Sequence, residues 1–223
     1  QRCGSVWTCP ICSLQISEGR RAELKQGMKY FQGKNGARQA GGMVYLLTLT
    51  NAHHVGDNLI QLLNGQKKAL AYLWGDRKSK EMFKSLDKVG HITATEVTHG
   101  VHGWHPHYHI LIFFDRPIDV QALRDFIASC WQNCCKKAGL KIPSLIHGCD
   151  LREGKYADHY VSKWGLEDEV TKGHIKKGKE DSLTPWDLLR LSETGCEKSG
   201  YLFQVFAQAF KGKRQLSWSR GLK

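Results

Sequence analysis

Hydrophobic and polar residues follow two different periods along the chain, and these predict both strands and helices. Val44–Thr50 (VYLLTLT) is dense in apolar and β-branched residues and His91–Thr98 (HITATEVT) alternates, so both segments are predicted strands. His105–Phe114 (HPHYHILIFF) predicts a third strand, which would pair with the second as an antiparallel hairpin. Because several residues separate these two strands, we expect a hairpin loop that is too long for a tight turn.

Helical periodicity marks the segments around these strands. From about Asp57 to Leu86, apolar residues recur at the spacing of one helix face. A further helix is predicted over Asp119–Ala138, where Asp119 can cap the first turn. The remaining predicted elements are helices at 14–31, 153–166, 184–191 and 201–210 and a short strand at 144–151.

This order of elements predicts an α+β fold, with a central antiparallel β-sheet of about five strands flanked by helices. Residues 1–42 would form a Cys-rich knuckle, a helix and a Gly-rich connector at 32–42. Residues 43–182 would form the core domain and end in a charged loop at 167–182. Residues 183–223 would add C-terminal helices and a basic tail packed on that core.

The charge balance indicates a polyanionic partner. The chain carries 33 Lys and Arg against 21 Asp and Glu, a net charge of +12. Such an excess favours nucleic acid, because neutralising phosphates releases condensed counterions, although a merely solvated basic surface is an alternative. No apolar stretch approaches the roughly 18 to 20 residues that span a bilayer, so we expect no membrane partner and a cytoplasmic location.

Three of the eight cysteines are candidate metal ligands. Cys3, Cys9 and Cys12 cluster near the N-terminus, and the last two have a metal-type spacing. Structural zinc takes four ligands and only three are local, so a zinc knuckle and three free thiols both stay open. Cys134 and Cys135 are adjacent, an awkward geometry for a mutual disulfide, and we predict reduced thiols throughout.

The strongest chemical signal is a pair of histidines in a predicted strand. Side chains alternate across a strand, so His107 and His109 share one face while Tyr108 faces the core. Two imidazoles this close can share one divalent ion. Glu96 lies on the predicted partner strand and is the expected third ligand. Two imidazoles and a carboxylate suit Mn²⁺ or Mg²⁺ acting on a phosphate, and zinc or nickel could also bind.

A second signal lies in the predicted helix at 153–166. Tyr156 and Tyr160 are four residues apart and therefore neighbours on one helix face, and Lys163 follows on nearly the same face. A phenol near pKa 10 is a poor nucleophile at neutral pH, and a nearby cation favours its reactive phenolate. A tyrosine beside a metal-bound phosphate could attack phosphorus, whereas simple packing of both tyrosines against the sheet is the alternative.

These motifs together resemble the HUH endonuclease superfamily, and specifically the rolling-circle replication initiators of small bacterial plasmids. The resemblance rests on residues 104–111 (WHPHYHIL), on 96–98 (EVT) before them and on 160–163 (YVSK) after them. It extends over most of the chain through the strand at 47–50 (LTLT), the N-terminal Cys-rich stretch and the end at 215–221 (QLSWSRG).

The resemblance implies roles for the candidate residues. The sheet would be the HUH or palm-like sheet, His107 and His109 would be metal ligands, and Glu96 would be the acidic third ligand. Tyr160 would be the nucleophile that nicks one strand of a replication origin through a 5′-phosphotyrosine. Tyr156 matches the two-tyrosine arrangement of some phage initiators, and a second strand transfer or packing both stay open for it.

The same resemblance implies partners, and several alternative functions stay open. The substrate would be origin DNA exposed as single strand or hairpin, and a host helicase and polymerase would act with the protein. The oligomeric state is not indicated. A transposase or conjugative relaxase would use the same chemistry, a metal-dependent phosphodiesterase would use water, and a zinc-dependent DNA-binding module would have no activity.

Overall fold

The computed structural model describes residues 3–32, 42–154 and 182–222. Within these ranges the chain forms six helices and six strands. The helices are α1 (Pro10–Phe31), α2 (Leu59–Gly75), α3 (Arg77–Ser85), α4 (Val120–Lys137), α5 (Pro185–Glu193) and α6 (Glu197–Phe210). The strands are β1 (Met43–Thr50), β2 (Lys88–Gly100), β3 (Gly103–Phe114), β4 (Cys149–Arg152), β5 (Ser182–Leu183) and β6 (Leu216–Trp218).

The strands form one antiparallel sheet in the order β4-β1-β3-β2, and β5 and β6 both pair with the outer edge of β2. β5 pairs at His99 and Gly100, and β6 pairs at residues 92–94, so the two share the fifth position of the sheet. The predicted α+β class, with an antiparallel sheet of about five strands flanked by helices, is confirmed.

The two faces of the sheet are covered differently. One face carries Tyr108, Ile110 and Ile112 of β3 and packs against α2 and α4 in the largest core cluster. On the other face, α1 covers only the half of the sheet around Leu111 and Phe113. The polar half of that face, next to the hairpin turn, holds His105, His107 and His109 of β3. A third cluster, around Trp104, lies by strand alternation on the same face as Tyr108 and packs against α2, α5 and α6.

Capping residues explain where the helices begin. Asp119 accepts a hydrogen bond from the backbone of Ala122, as the sequence predicted, and Asn58 caps α2 in the same way. The single helical region predicted from Asp57 to Leu86 is wrong in one respect. Asp76 takes an extended conformation that ends α2, and its carboxylate caps α3.

The predicted long hairpin loop is also wrong. β2 and β3 run on to Gly100 and Gly103, so only Val101 and His102 form the turn. Gly103 has a φ of +83°, and a Cβ there would lie 3.0 Å from the carbonyl oxygen of His54, so glycine fits both the turn and the close approach. His99 is therefore a strand residue, edge-on to Trp104 with ring centroids 4.8 Å apart.

The C-terminal tail contains a strand that the sequence did not predict. β6 lies within it and pairs with β2, and Trp218 and Leu222 pack beneath α1. The strand predicted at 144–151 is confined to Cys149–Arg152. Within the described ranges, no helix combines the length and apolarity needed to cross a bilayer.

Three predictions fall on parts of the chain outside the described residues, wholly or nearly so. They are the Gly-rich connector at 32–42, the tyrosine helix at 153–166 and the charged loop at 167–182. The proposed division into 1–42, 43–182 and 183–223 stays a prediction.

Candidate metal centre

Strand alternation and strand register bring the predicted metal ligands together. His107 and His109 lie on the face of β3 that α1 leaves uncovered, while Tyr108 between them is buried in the opposite core. Glu96 of β2 is the register partner of His107, so its side chain emerges on the same face.

The distances suit a single small cation. The Oε2 atom of Glu96 lies 3.5 Å from the Nε2 atoms of both His107 and His109. One ligand atom from each of the three residues lies within 4.8 Å of the other two. The side chains of His107 and His109 are 16% and 18% exposed and that of Glu96 is 40% exposed, so a phosphate could reach the centre from solvent. Two imidazoles and one carboxylate are a donor set that fits a divalent ion with open positions.

Interactions within the group of three residues shift the pKa values of Glu96 and His107. Burial raises the pKa of the Glu96 carboxyl, but hydrogen bonds and charge interactions with His107 and His109 outweigh it and hold that pKa well below its usual range. Burial lowers the pKa of His107, and its pairing with Glu96 outweighs that effect and raises it. An ionised carboxylate between two imidazoles is the charge arrangement that attracts a cation in place of the proton.

His107 is oriented from within its own strand. Its Nδ1 atom lies 3.2 Å from the carbonyl oxygen of His105. A carbonyl oxygen only accepts, so Nδ1 carries the proton and Nε2 keeps a free lone pair towards Glu96 whenever the ring is neutral. This is the tautomer that a metal ligand needs.

Two further histidines extend the polar face beyond the three ligands. The ring of His105 lies 5.3 Å from that of His107 and 4.7 Å from that of His53, centroid to centroid. Burial, with the neighbouring His107 and His53, lowers the pKa of His105 to about 4, so it is neutral at physiological pH. His53 follows the end of β1, and the sequence leaves open whether it is a turn residue or approaches the site.

The buried side-chain amide of Gln66 contacts β3 from the core face of the sheet. Gln66 of α2 is fully buried and donates to the carbonyl oxygen of Pro106 at 2.7 Å and to the side chain of Asn51 at 2.6 Å. Pro106 has no N–H to give to the sheet, and Gln66 holds its carbonyl between His105 and His107.

Trp104 is buried in the third cluster, so it packs and does not present a face to a base.

The N-terminal cysteines form a second group of metal-type ligands. The sulfur atoms of Cys3, Cys9 and Cys12 lie within 4.8 Å of one another, and those of Cys3 and Cys12 are 3.6 Å apart. A hydrogen bond from the backbone of Cys12, with contacts to the other two thiols, lowers the pKa of Cys9 and favours its thiolate. Three convergent thiols are chemically suited to a thiophilic ion such as zinc.

The other cysteines divide into packing residues and one exposed thiol. Cys134, Cys135 and Cys149 are buried in the main core, and burial raises the pKa of Cys135 to about 12. Cys196 is exposed at the start of α6. All eight cysteines lie in the described ranges, and the structure forms no disulfide among them.

The predicted nucleophile lies outside the described residues, together with its neighbours. Tyr156, Tyr160 and Lys163 fall between residues 154 and 182, and their positions relative to the metal centre are not described.

Comparison with known proteins decides the family. A family model described as "Replication protein" (Rep_1) matches residues 2–223. The chain belongs to this replication protein family. The resemblance inferred from the motifs is thereby confirmed at the level of the family.

The replication protein family assignment agrees with the similarity to individual proteins. A protein named "Protein rep" from Streptomyces lividans is 23% identical over 294 aligned residues, which include 100% of this chain and 63% of that protein. A protein named "Neomycin resistance protein" from Streptomyces cyanogenus is 29% identical over 136 residues, 50% of this chain and 30% of that protein. The chain thus spans less than two thirds of these relatives. No solved structure matches it.

Proposed function

We propose that this replication protein is a metal-dependent DNA strand transferase, which nicks and rejoins one strand at a replication origin and so initiates rolling-circle replication. One observation carries the proposal. Glu96, His107 and His109 converge on an open face of the sheet with the donor set of a metal ion that acts on phosphate. Membership in the replication protein family makes DNA the natural source of that phosphate.

The metal centre would bind and orient the scissile phosphate. Glu96, His107 and His109 would hold Mn²⁺ or Mg²⁺, and the bound ion would supply Lewis acid chemistry at a phosphate oxygen. The substrate would be origin DNA exposed as single strand or hairpin, whose backbone can bend into the metal centre. The net charge of +12 favours association with that strand.

The covalent step is assigned to Tyr160. Its phenol oxygen would form a bond to phosphorus while the bond from phosphorus to the 3′ oxygen of the preceding nucleotide breaks. The phenol proton passes to solvent and the leaving 3′ oxygen takes one up, which yields a 5′-phosphotyrosine and a free 3′-hydroxyl. Lys163 would favour the phenolate by its charge. The number of phosphate ester bonds is unchanged, so a 3′-hydroxyl can reverse the step and rejoin DNA.

Tyr156, four residues before Tyr160 in the sequence, is proposed as a second acceptor. A second tyrosine would allow a second strand transfer without release of the first DNA end. The 3′-hydroxyl would prime a host polymerase after a host helicase opens the duplex, and both partners are cytoplasmic.

The cysteine group is proposed as a structural zinc knuckle. Cys3, Cys9 and Cys12 would supply three of the four ligands that tetrahedral zinc takes. The convergence of three sulfur atoms supports the proposal, and Trp7, between the cysteines, contacts Phe206 and Phe210 of α6.

The test is covalent capture of DNA. The protein is incubated with Mn²⁺ and single-stranded oligonucleotides tiling both strands of the replicon that encodes it, and denaturing gels reveal any protein–DNA adduct. We expect an adduct with wild type and with Tyr201→Phe, a control at an exposed tyrosine of α6, and none with Tyr160→Phe or in excess EDTA.

The other variants separate the rivals. Tyr156→Phe should keep the first adduct and lose any second transfer. Cleavage without an adduct, undiminished in Tyr160→Phe, would identify water as the nucleophile and overturn the tyrosine mechanism. Binding of DNA without cleavage in any metal would favour a non-catalytic module.

A further inference from the structure

The alternating segment Leu47-Thr48-Leu49-Thr50 of β1 has a polar face that the proposed chemistry leaves unused. Leu47 and Leu49 are fully buried in the main core, as strand alternation requires. Thr48 and Thr50 therefore emerge on the other face, the one that carries the metal centre. In the antiparallel register, Thr48 lies opposite His109 and Thr50 lies opposite His107.

Both threonine hydroxyls contact histidine rings. The Oγ1 atom of Thr48 lies 3.0 Å from Nδ1 of His109, and the Oγ1 atom of Thr50 lies 2.9 Å from Nε2 of His105. These distances are those of hydrogen bonds. The contact on His109 is made on the ring nitrogen opposite to the one that faces Glu96.

The contact of Thr48 with Nδ1 of His109 has a chemical consequence. When Nε2 of His109 gives its lone pair to a metal ion, the ring proton must lie on Nδ1, where the hydroxyl of Thr48 is placed to accept it. A hydroxyl both donates and accepts, so Thr48 can also donate to Nδ1 when Nε2–H is turned to Glu96. The one side chain therefore holds the ring in the same orientation before and after ion binding.

Thr50 acts on the neighbouring histidine in the same way. It fixes the His105 ring through Nε2, and the carbonyl oxygen of His105 accepts the Nδ1 proton of His107. The two threonines thus hold the segment 105–109 from the adjoining strand, one of them directly on a ligand ring.

We propose that Thr48 is a positioning residue for the metal centre: its hydroxyl sets the tautomer and the ring orientation of His109, with Thr50 supporting the strand through His105. The inference rests on the proposed function, since it assumes that Glu96, His107 and His109 bind a divalent ion. Loss of a hydrogen-bond partner behind a ligating histidine typically weakens metal binding by about 10- to 100-fold.

The test measures Mn²⁺ affinity in the intact chain without DNA, from the electron paramagnetic resonance signal of free Mn²⁺. Thr48→Val keeps the branched shape and removes the hydroxyl, and Thr48→Ser restores it. Thr95→Val is the matched control, since Thr95 lies on β2 next to Glu96 but points to the opposite face, across from Tyr108. His109→Ala sets the signal expected when the ligand itself is lost.

We expect Thr48→Val to weaken Mn²⁺ binding by about 10- to 100-fold, with Thr48→Ser within about threefold of wild type and Thr95→Val unchanged. Equal affinities in wild type and Thr48→Val would overturn the inference and leave the proposed function intact. A Thr48→Ser variant as weak as Thr48→Val would also overturn it, because the hydroxyl would not be the group that matters. Failure of wild type itself to bind Mn²⁺ would overturn the proposed metal function, and the inference with it.

Discussion

Burial lowers the pKa of two basic side chains, Lys88 and His91. Both lie near the start of β2, away from Glu96, where the indole of Trp74 stacks on the His91 ring at 4.2 Å and Lys88 Nζ lies 3.8 Å from the centre of that indole. Burial lowers the pKa of Lys88 to about 8, and burial with the nearby Lys88 charge lowers that of His91 to about 3. At His107, pairing with the Glu96 carboxylate outweighs the effect of burial on the pKa. No carboxylate is among the causes that lower the pKa of Lys88 or His91.

Replacing Lys88 by methionine should therefore change how stability depends on pH. The folded pKa of about 8 lies below the ordinary value of 10.5, so burial of the ammonium costs stability below pH 8, and this cost fades as the pH rises from 8 to 10.5. We expect Lys88→Met to raise the free energy of unfolding at pH 7 by on the order of 1 kcal/mol, a value reduced by the solvent that still reaches the side chain and by the loss of the ammonium contact with the Trp74 indole.

Urea unfolding at pH 7 and pH 10 checks this. The gain of Lys88→Met over wild type should shrink at pH 10, and Lys84→Met, at an exposed position of α3, should show neither effect. A gain that is the same at both pH values would show that the ammonium is not the cause.

At the scale of elements, the sequence predicted those whose signal is local. The dense apolar and β-branched run of β1, the alternation of β2 and the capped periodicity of α4 are each contained in one segment, and the structure has all three. β6 was missed because its pairing with β2 depends on distant residues. The two-residue hairpin turn is local, and it was missed because the glycines that flank it favoured a longer loop. β2 accepts β5 and β6 on one edge, which neither tail segment reveals by itself.

The distinction between local signals and pairing of distant segments also applies to the metal centre. His107 and His109 follow from alternation in one strand, and Glu96 from the assumption of a hairpin partner. Thr48 behind His109 could not be predicted, because the register of β1 against β3 is fixed only in the folded sheet.

The cap of α4 gives a prediction at this scale. Asp119→Ala removes the carboxylate that accepts from Ala122, so the first turn of the helix loses a hydrogen bond. α4 carries Ile127 and Trp131, both fully buried, so fraying of its first turn should weaken the main core. We expect a loss of about 1 kcal/mol in the free energy of unfolding, measured by urea titration. Asp119→Asn keeps a capping oxygen and should stay within a few tenths of wild type; an equal loss there would exclude the cap as the cause.

At the scale of the whole molecule, the N-terminal knuckle joins parts of the chain that are far apart in sequence. Trp7 lies between the cysteines, and its ring is 4.6 Å from that of Phe210 in α6. Its indole N–H donates to the carbonyl oxygen of Lys213 at 2.8 Å. The knuckle also leads directly into α1, which covers half of one sheet face. Any ion that orders Cys3, Cys9 and Cys12 would therefore stabilise both α1 and the C-terminal helix.

This coupling predicts how the protein responds to loss of zinc. We expect about one zinc per chain by elemental analysis of protein purified without chelators, and its loss in Cys9→Ser and Cys12→Ser. For a zinc contribution on the order of 2 kcal/mol, the melting temperature should fall by about 4 to 8 °C in these variants, and in wild type treated with a zinc chelator. Cys196→Ser, at an exposed thiol outside the cluster, should keep both the zinc and the melting temperature. Wild-type protein that carries no zinc and binds none on titration would refute the knuckle; zinc retained in both Cys9→Ser and Cys12→Ser would place the ion elsewhere in the chain.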